Sequence, residues 1–203
     1  GQGAGHRNRG AALGFTAVRV EPAREAMAHA NRSAPVLLLF GPPGSGKNFV
    51  GEFLATHIGF TFFDADAWLP EDLQASLARG EGFTQEQRDR YYAEVASRIS
   101  EIASRLQGEA RIVVAQAVIK NRHRRLLLDA CPCVRLCWVR STEEDRRRRL
   151  CAGNNLVNAR LGAHMASEFE EPDHEHLTFS NSDRTDADTM RELLERLVSQ
   201  LYD

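Results

Sequence analysis

The stretch PVLLLFGPPGSGKNF, residues 35–49, decides the fold. It opens with a continuous apolar run, the pattern of a strand buried on both faces of a sheet. Gly41-x-x-x-x-Gly46-Lys47 follows, and the pattern predicts a helix from there to about residue 58. A glycine loop between a buried strand and a helix is the setting in which this spacing cradles phosphate. Glycines let backbone N–H groups come close to phosphate oxygens, and the helix N-terminus adds its dipole and free donors. Lys47 adds a point charge for the outer phosphates. The candidate nucleotide contacts are therefore Gly41, Pro42, Pro43, Gly44, Ser45, Gly46, Lys47 and Asn48. Asn48 occupies the position where the pattern carries Ser or Thr to hold Mg²⁺. Its amide oxygen could touch the metal or accept a hydrogen bond from a metal-bound water.

Outward from this loop the chain alternates. Strands are expected at 60–64, 111–115, 134–139 and 177–180, and helices at 70–79, 84–107 and 120–129. Ser141-Thr-Glu-Glu144 has the form of a capping box that opens another helix. Residues 153–165, with Gly153, Asn154, Asn155, Asn158 and Gly162, have the composition of a mobile loop. Met190, Leu193, Leu194, Leu197, Val198 and Leu201 form a 3.6-residue stripe on a last helix. Strands alternating with helices predict an α/β fold of three layers. About five parallel strands would be covered by helices on both faces, with a mobile lid. Ligands in such folds bind beyond the carboxyl ends of the strands.

The 203 residues form one domain of about 34–203, preceded by an extension, 1–33. The extension begins with a Gly/Arg-rich segment of disordered composition. A strand-like GFTAVRV and a helix-like EPAREAMAHA follow it. A net charge of −2 gives no electrostatic footprint for nucleic acid, and no apolar run reaches the roughly 20 residues of a membrane span. Cys131, Cys133, Cys137 and Cys151 lack zinc-site spacing, and Cys133 and Cys137 read as buried free thiols. A reducing, cytoplasmic setting is the expectation, with a small-molecule partner and room for a homodimer.

Phe63-Asp64-Ala-Asp66 ends the second predicted strand. If strand geometry persists, both carboxylates point the same way, toward the phosphate loop. One would hold a metal-bound water and the other orient an acceptor hydroxyl; phosphoryl transfer needs little beyond such positioning and charge compensation. The alternative is a solvated turn with a helix-capping Asp. Arg146 to Arg149 sweep around a helix and cannot serve one site. Arg122, Arg124 and Arg125 read as a solvated helix face ahead of a basic patch.

Taken together, residues 35–200 resemble the gluconokinase and shikimate kinase group of small P-loop kinases, gluconokinase most closely. The motifs are Asp64-Ala-Asp66-Ala-Trp-Leu69-Pro70, Gly80 to Arg88, Gln116-Ala-Val-Ile-Lys120, His123 to Leu127, Arg149-Leu150 and Ser167 to Pro172. The resemblance implies an ATP-dependent kinase acting on a hydroxyl of a gluconate-like sugar acid. ATP would lie on Gly41–Asn48, Mg²⁺ near Asp64 and Asn48, and substrate near Asp66, Arg88 and Lys120. Arg149 and Arg160 would belong to the lid, with Lys47, Asp64, Asp66 and Arg149 as the catalytic set. Adenylate kinases resemble the loop too and carry Gly after its Lys, so a hydroxyl there is not essential to phosphoryl transfer. The chain departs from the gluconokinase pattern at Leu69, at Gln116–Val118 and at Asn155–Val157, which replace polar or characteristic family residues. A nucleoside monophosphate kinase and a non-catalytic nucleotide-binding module are the competing readings.

Overall fold

The computed structural model describes residues 33–106, 110–152 and 157–201. Expectations for residues 1–32, for residue 107 and for residues 153–156, Asn155 and Leu156 among them, fall outside them. Five strands form one parallel sheet: β1 Val36–Phe40, β2 Thr61–Asp64, β3 Ile112–Ala115, β4 Val134–Arg140 and β5 Leu177–Ser180, in the order β2-β3-β1-β4-β5. Seven α-helices lie among the described residues: α1 Lys47–Ile58, α2 Glu71–Ala78, α3 Gln85–Arg105, α4 Asn121–Ala130, α5 Glu143–Ala152, α6 Ala159–Ser167 and α7 Ala187–Ser199.

The three layers follow from strand alternation. Val36, Leu38 and Phe40 of β1 enter one core with Ile112, Val114 and Leu136, packed against α2, α3 and α4. Leu37 and Leu39 enter the opposite core with Val113, Cys137 and Val139, packed against α1 and α7. Apolar side chains on both faces explain why β1 and β3 read as unbroken apolar runs. Being parallel, all five strands deliver their following loops to the same edge.

Local chemistry fixes the helix ends. Thr84 and Gln87 form a reciprocal capping box at the start of α3, and Asn158 and Asp186 cap α6 and α7 through their side chains. On α3 the buried positions Tyr91, Tyr92, Val95, Ala96, Ile99 and Ala103 trace one face. No described helix is long and apolar enough to cross a membrane.

Four sequence expectations change. The predicted loop 153–165 contains α6, whose Leu161 is buried. The cap of α5 is Thr142, whose hydroxyl accepts from the Asp145 N–H at 3.1 Å, one residue later than expected. On α7, Leu193 turns outward and is 41% exposed, so the buried stripe is Met190, Leu194, Leu197 and Val198. Arg124, expected on a solvated face, is wholly buried. Its guanidinium lies 5.0 Å from the Phe40 ring centre and 5.2 Å from that of Phe169, and donates to the carbonyls of Val118 and Glu170. Arg124 can be buried because carbonyls satisfy its donors and aromatic faces receive its charge. Of the cysteines, Cys131 and Cys137 are buried, Cys133 is half-buried and Cys151 is exposed.

Candidate active site

The loop between β1 and α1 is built on left-handed glycines. Gly44 has φ 78° and Gly46 φ 87°; a Cβ would lie 2.7 Å from the Arg146 carbonyl oxygen at the first and 2.1 Å from Asn181 Nδ2 at the second. Neither position accepts a side chain, because conformation and space both forbid it. Lys47 opens α1 and folds back across the loop, its Nζ donating to the carbonyls of Gly41 and Pro42, each at 3.1 Å. Only 9% of Lys47 is exposed. Burial pulls its pKa down to about 8, against the pull of the Asp66 and Asp64 charges. Ser45 Oγ is a buried hydroxyl without a protein partner among the described residues. A buried orphan hydroxyl inside a phosphate loop is chemically suited to an anionic oxygen.

Two residues brace the loop from behind. Arg149 Nη1 donates to the carbonyls of Gly44 and Ser45, each at 3.1 Å, while its Nε donates to Asp183 at 2.9 Å. Asn181, just beyond β5, donates to the Ser45 carbonyl at 2.9 Å and is itself buried. Arg149 lines the cavity in front of the loop, and these bonds also make it a strut of the loop. The part played by Asn181 has no pattern in the sequence beyond its place at the carboxyl end of a strand.

The two carboxylates reach the loop by another route than strand alternation. The strand ends at Asp64, and residues 65–68 turn into a 3₁₀ helix that Asp64 caps by accepting the Asp66 N–H at 2.9 Å. Both the capping alternative and the convergence on the loop therefore hold, since Asp64 and Asp66 line the same cavity as Lys47 and Asn48. Asn48 Nδ2 donates to Asp64 Oδ2 at 2.6 Å. Asp66 is half-buried in the cavity lining, and its pKa is raised, first by desolvation and then by the Asp64 charge; Lys47 and a hydrogen bond from Gln116 act against the rise.

The cavity, about 410 Å³, runs from Gly44, Gly46 and Lys47 to Arg88, Gln116 and Met165. Arg88 contacts Glu168 at 3.3 Å. Gln116, met in the sequence only as a departure from a pattern, links Asp66 to Tyr91. Lys120 is not among the lining residues; its Nζ lies 3.4 Å from Glu170 Oε1. Arg160 stands exposed in the first turn of α6 and is likewise outside the lining.

A parallel five-stranded sheet with a phosphate loop after β1 and a carboxylate pair after β2 defines the small P-loop kinase fold. The family model described as AAA domain matches residues 36–172, and the chain belongs to that family. A rat protein described as a probable gluconokinase is 29% identical over 140 residues, 66% of this chain and 67% of the rat protein. Among solved structures, a sugar kinase from Janibacter sp. HTCC2649 superposes with a TM-score of 0.70 at 18% identity, covering 82% of this chain and 95% of its own. A gluconokinase from Sinorhizobium meliloti 1021 superposes with a TM-score of 0.67 at 21% identity, covering 84% and 95%.

Proposed function

We propose that this protein is an ATP-dependent phosphotransferase that moves the γ-phosphate to a hydroxyl of a small, gluconate-like sugar acid. The observation that carries the reading is the convergence of Lys47, Asp64, Asp66 and the glycine loop on one cavity. Phosphate oxygens lie against the loop N–H groups and Lys47. Asp66, a half-buried carboxylate with a raised pKa, accepts the proton of the acceptor hydroxyl. Arg88 pairs with the acceptor's carboxylate, which competes with Glu168 for it.

Mg²⁺ fits the donors present. Asp64 and the Asn48 amide oxygen are hard oxygen ligands at the phosphate end, and nucleotide phosphates with water would complete the set. When bound it supplies neutralisation of the phosphate charge. Asn48, by donating to Asp64, holds that carboxylate in place.

The decisive experiment measures ADP release from ATP, with and without Mg²⁺, across gluconate, related aldonates, shikimate and nucleoside monophosphates. Metal-dependent release with a sugar acid is expected. A nucleoside monophosphate as best acceptor, or ATP binding without transfer to any of them, would overturn the reading.

A further inference from the structure

Gln116 follows the last residue of β3, and its backbone N–H donates to the Leu39 carbonyl of β1 at 3.0 Å. The residue is buried, and its side chain sits in a network whose directions are fixed by chemistry. The amide oxygen accepts the Ala117 N–H at 2.5 Å. Nε2 donates to Asp66 Oδ1 at 3.0 Å and to Tyr91 Oη at 2.6 Å. Tyr91 Oη spends its own proton on the Ala65 carbonyl at 2.6 Å, so toward Gln116 it acts as the acceptor. A flipped amide would set oxygen against the Asp66 carboxylate and hydrogens against the Ala117 N–H. Ala65 directly precedes Asp66, so the network closes a ring that ties the carboxylate to its own backbone. Its two outer members stand on regular structure, Gln116 at the end of β3 and Tyr91 on the buried face of α3.

We infer that Gln116 is a positioning residue for phosphate transfer: backed by Tyr91, it holds Asp66 by Oδ1 and leaves Oδ2 to take the proton of the acceptor hydroxyl. This rests on the phosphotransferase reading above and adds to it a residue that acts through the base. In the transfer the acceptor oxygen bonds to the γ-phosphorus as the bond from phosphorus to the ADP oxygen breaks, and the hydroxyl proton passes to Oδ2. An aspartate on a short 3₁₀ turn has two side-chain torsions by which to leave that orientation. Lys47, which lines the same cavity, attracts the carboxylate toward the phosphate loop. A misplacement of about 1 Å can cost about 100-fold in rate, so a donor that fixes the carboxylate sustains turnover by way of Asp66.

The test uses Gln116→Met, which keeps length and approximate volume but removes the donor, on the full chain with gluconate as the acceptor probe. ADP release should show kcat lowered about tenfold or more, with the KM for gluconate changed by less than about threefold. Tyr91→Phe, which keeps the ring and frees the far end of the amide, should lower kcat in the same direction by a smaller factor. In an Asp66→Asn background, where no base remains to be held, Gln116→Met should change the residual kcat by less than about twofold. An equal loss of kcat in both backgrounds, or a raised KM with kcat kept, would overturn the inference. Crystals of Gln116→Met give a readout that needs no turnover: the Asp66 carboxylate should leave its wild-type orientation. A carboxylate unmoved there would overturn the positioning role, whereas absence of ADP release in the wild-type protein with every acceptor refutes phosphate transfer instead. If Gln116→Met does not match the wild-type melting profile, Tyr91→Phe carries the same comparisons, and an unchanged kcat and carboxylate in that variant would count against the clamp.

Discussion

Raising the pH from 7 to 9 should weaken nucleotide binding by way of one proton. Lys47 in the free protein has a pKa near 8 because burial strips its ammonium of water. At pH 9 about one-tenth of the free protein then carries the charge, whereas bound phosphates hold Lys47 protonated near or above its ordinary value of about 10.4. The apparent Kd of a non-hydrolysable ATP analogue should therefore rise about tenfold between pH 7 and pH 9, with uptake of about 0.9 proton per site at pH 9. Calorimetry in two buffers of different ionisation enthalpy reads both quantities. The window lies above the last phosphate ionisation, near pH 6, so the ligand contributes little. Lys47→Met should bind weakly at every pH with no proton uptake. The sign for stability is the reverse: between about 8 and 10.5 the unfolded chain binds more protons, so this residue's contribution to stability improves as pH rises. Unchanged affinity and no proton uptake at pH 9 would refute the idea that the lysine is desolvated in the free protein.

Asp66→Asn should lower turnover by about 100-fold or more and yet raise the urea midpoint at pH 7, because it removes a carboxylate whose ionised form is disfavoured in the cavity. The raised folded pKa means that the wild-type penalty sets in as pH climbs from 3.8 through the folded value, so the two proteins should converge in stability below that range. A lower midpoint for the variant at pH 7 would contradict this. Arg124→Met should cost roughly 1–3 kcal/mol of unfolding free energy by urea titration, since it leaves the buried Val118 carbonyl and the part-buried Glu170 carbonyl without their donor. A loss below about 1 kcal/mol would show that those groups find other partners.

How much of this was legible in the sequence depended on how local the cause was. The phosphate loop is a contiguous pattern whose backbone demands are met by glycine alone, so residues 41–47 carry their own geometry. The sheet was equally legible, because β1 and β3 are apolar on both faces. Asp64 and Asp66 were found, but for a different reason than the one that holds: a 3₁₀ turn capped by Asp64, and not strand alternation, brings them to the loop. Arg124 misled because a helix with Arg122, Arg124 and Arg125 looks solvated until Phe40, Phe169 and the Glu170 carbonyl from distant segments, with the nearby Val118 carbonyl, close around one of them. Asn181 acts through its bond to Ser45 and Gln116 through its bond to Asp66, contacts between positions 136 and 50 residues apart that no short window contains.

Asn48 gains its meaning from the same long-range view. A Ser or Thr at this place would present a hydroxyl to a cation; the amide instead spans to Asp64 and donates to it. With Oδ1 on the Asp66 N–H and Oδ2 on Asn48, the Asp64 carboxylate is held at both oxygens and keeps further lone pairs for a metal or its waters. Asp66 has a different environment, deep in the cavity beside a like charge, where ionisation is disfavoured. Two carboxylates separated by one residue are thus driven apart in character, one fixed and suited to a cation, the other more basic and suited to a proton. Such a split is how neighbouring carboxylates take separate roles in one reaction, and here it arises from a short turn, one asparagine and the depth of a pocket.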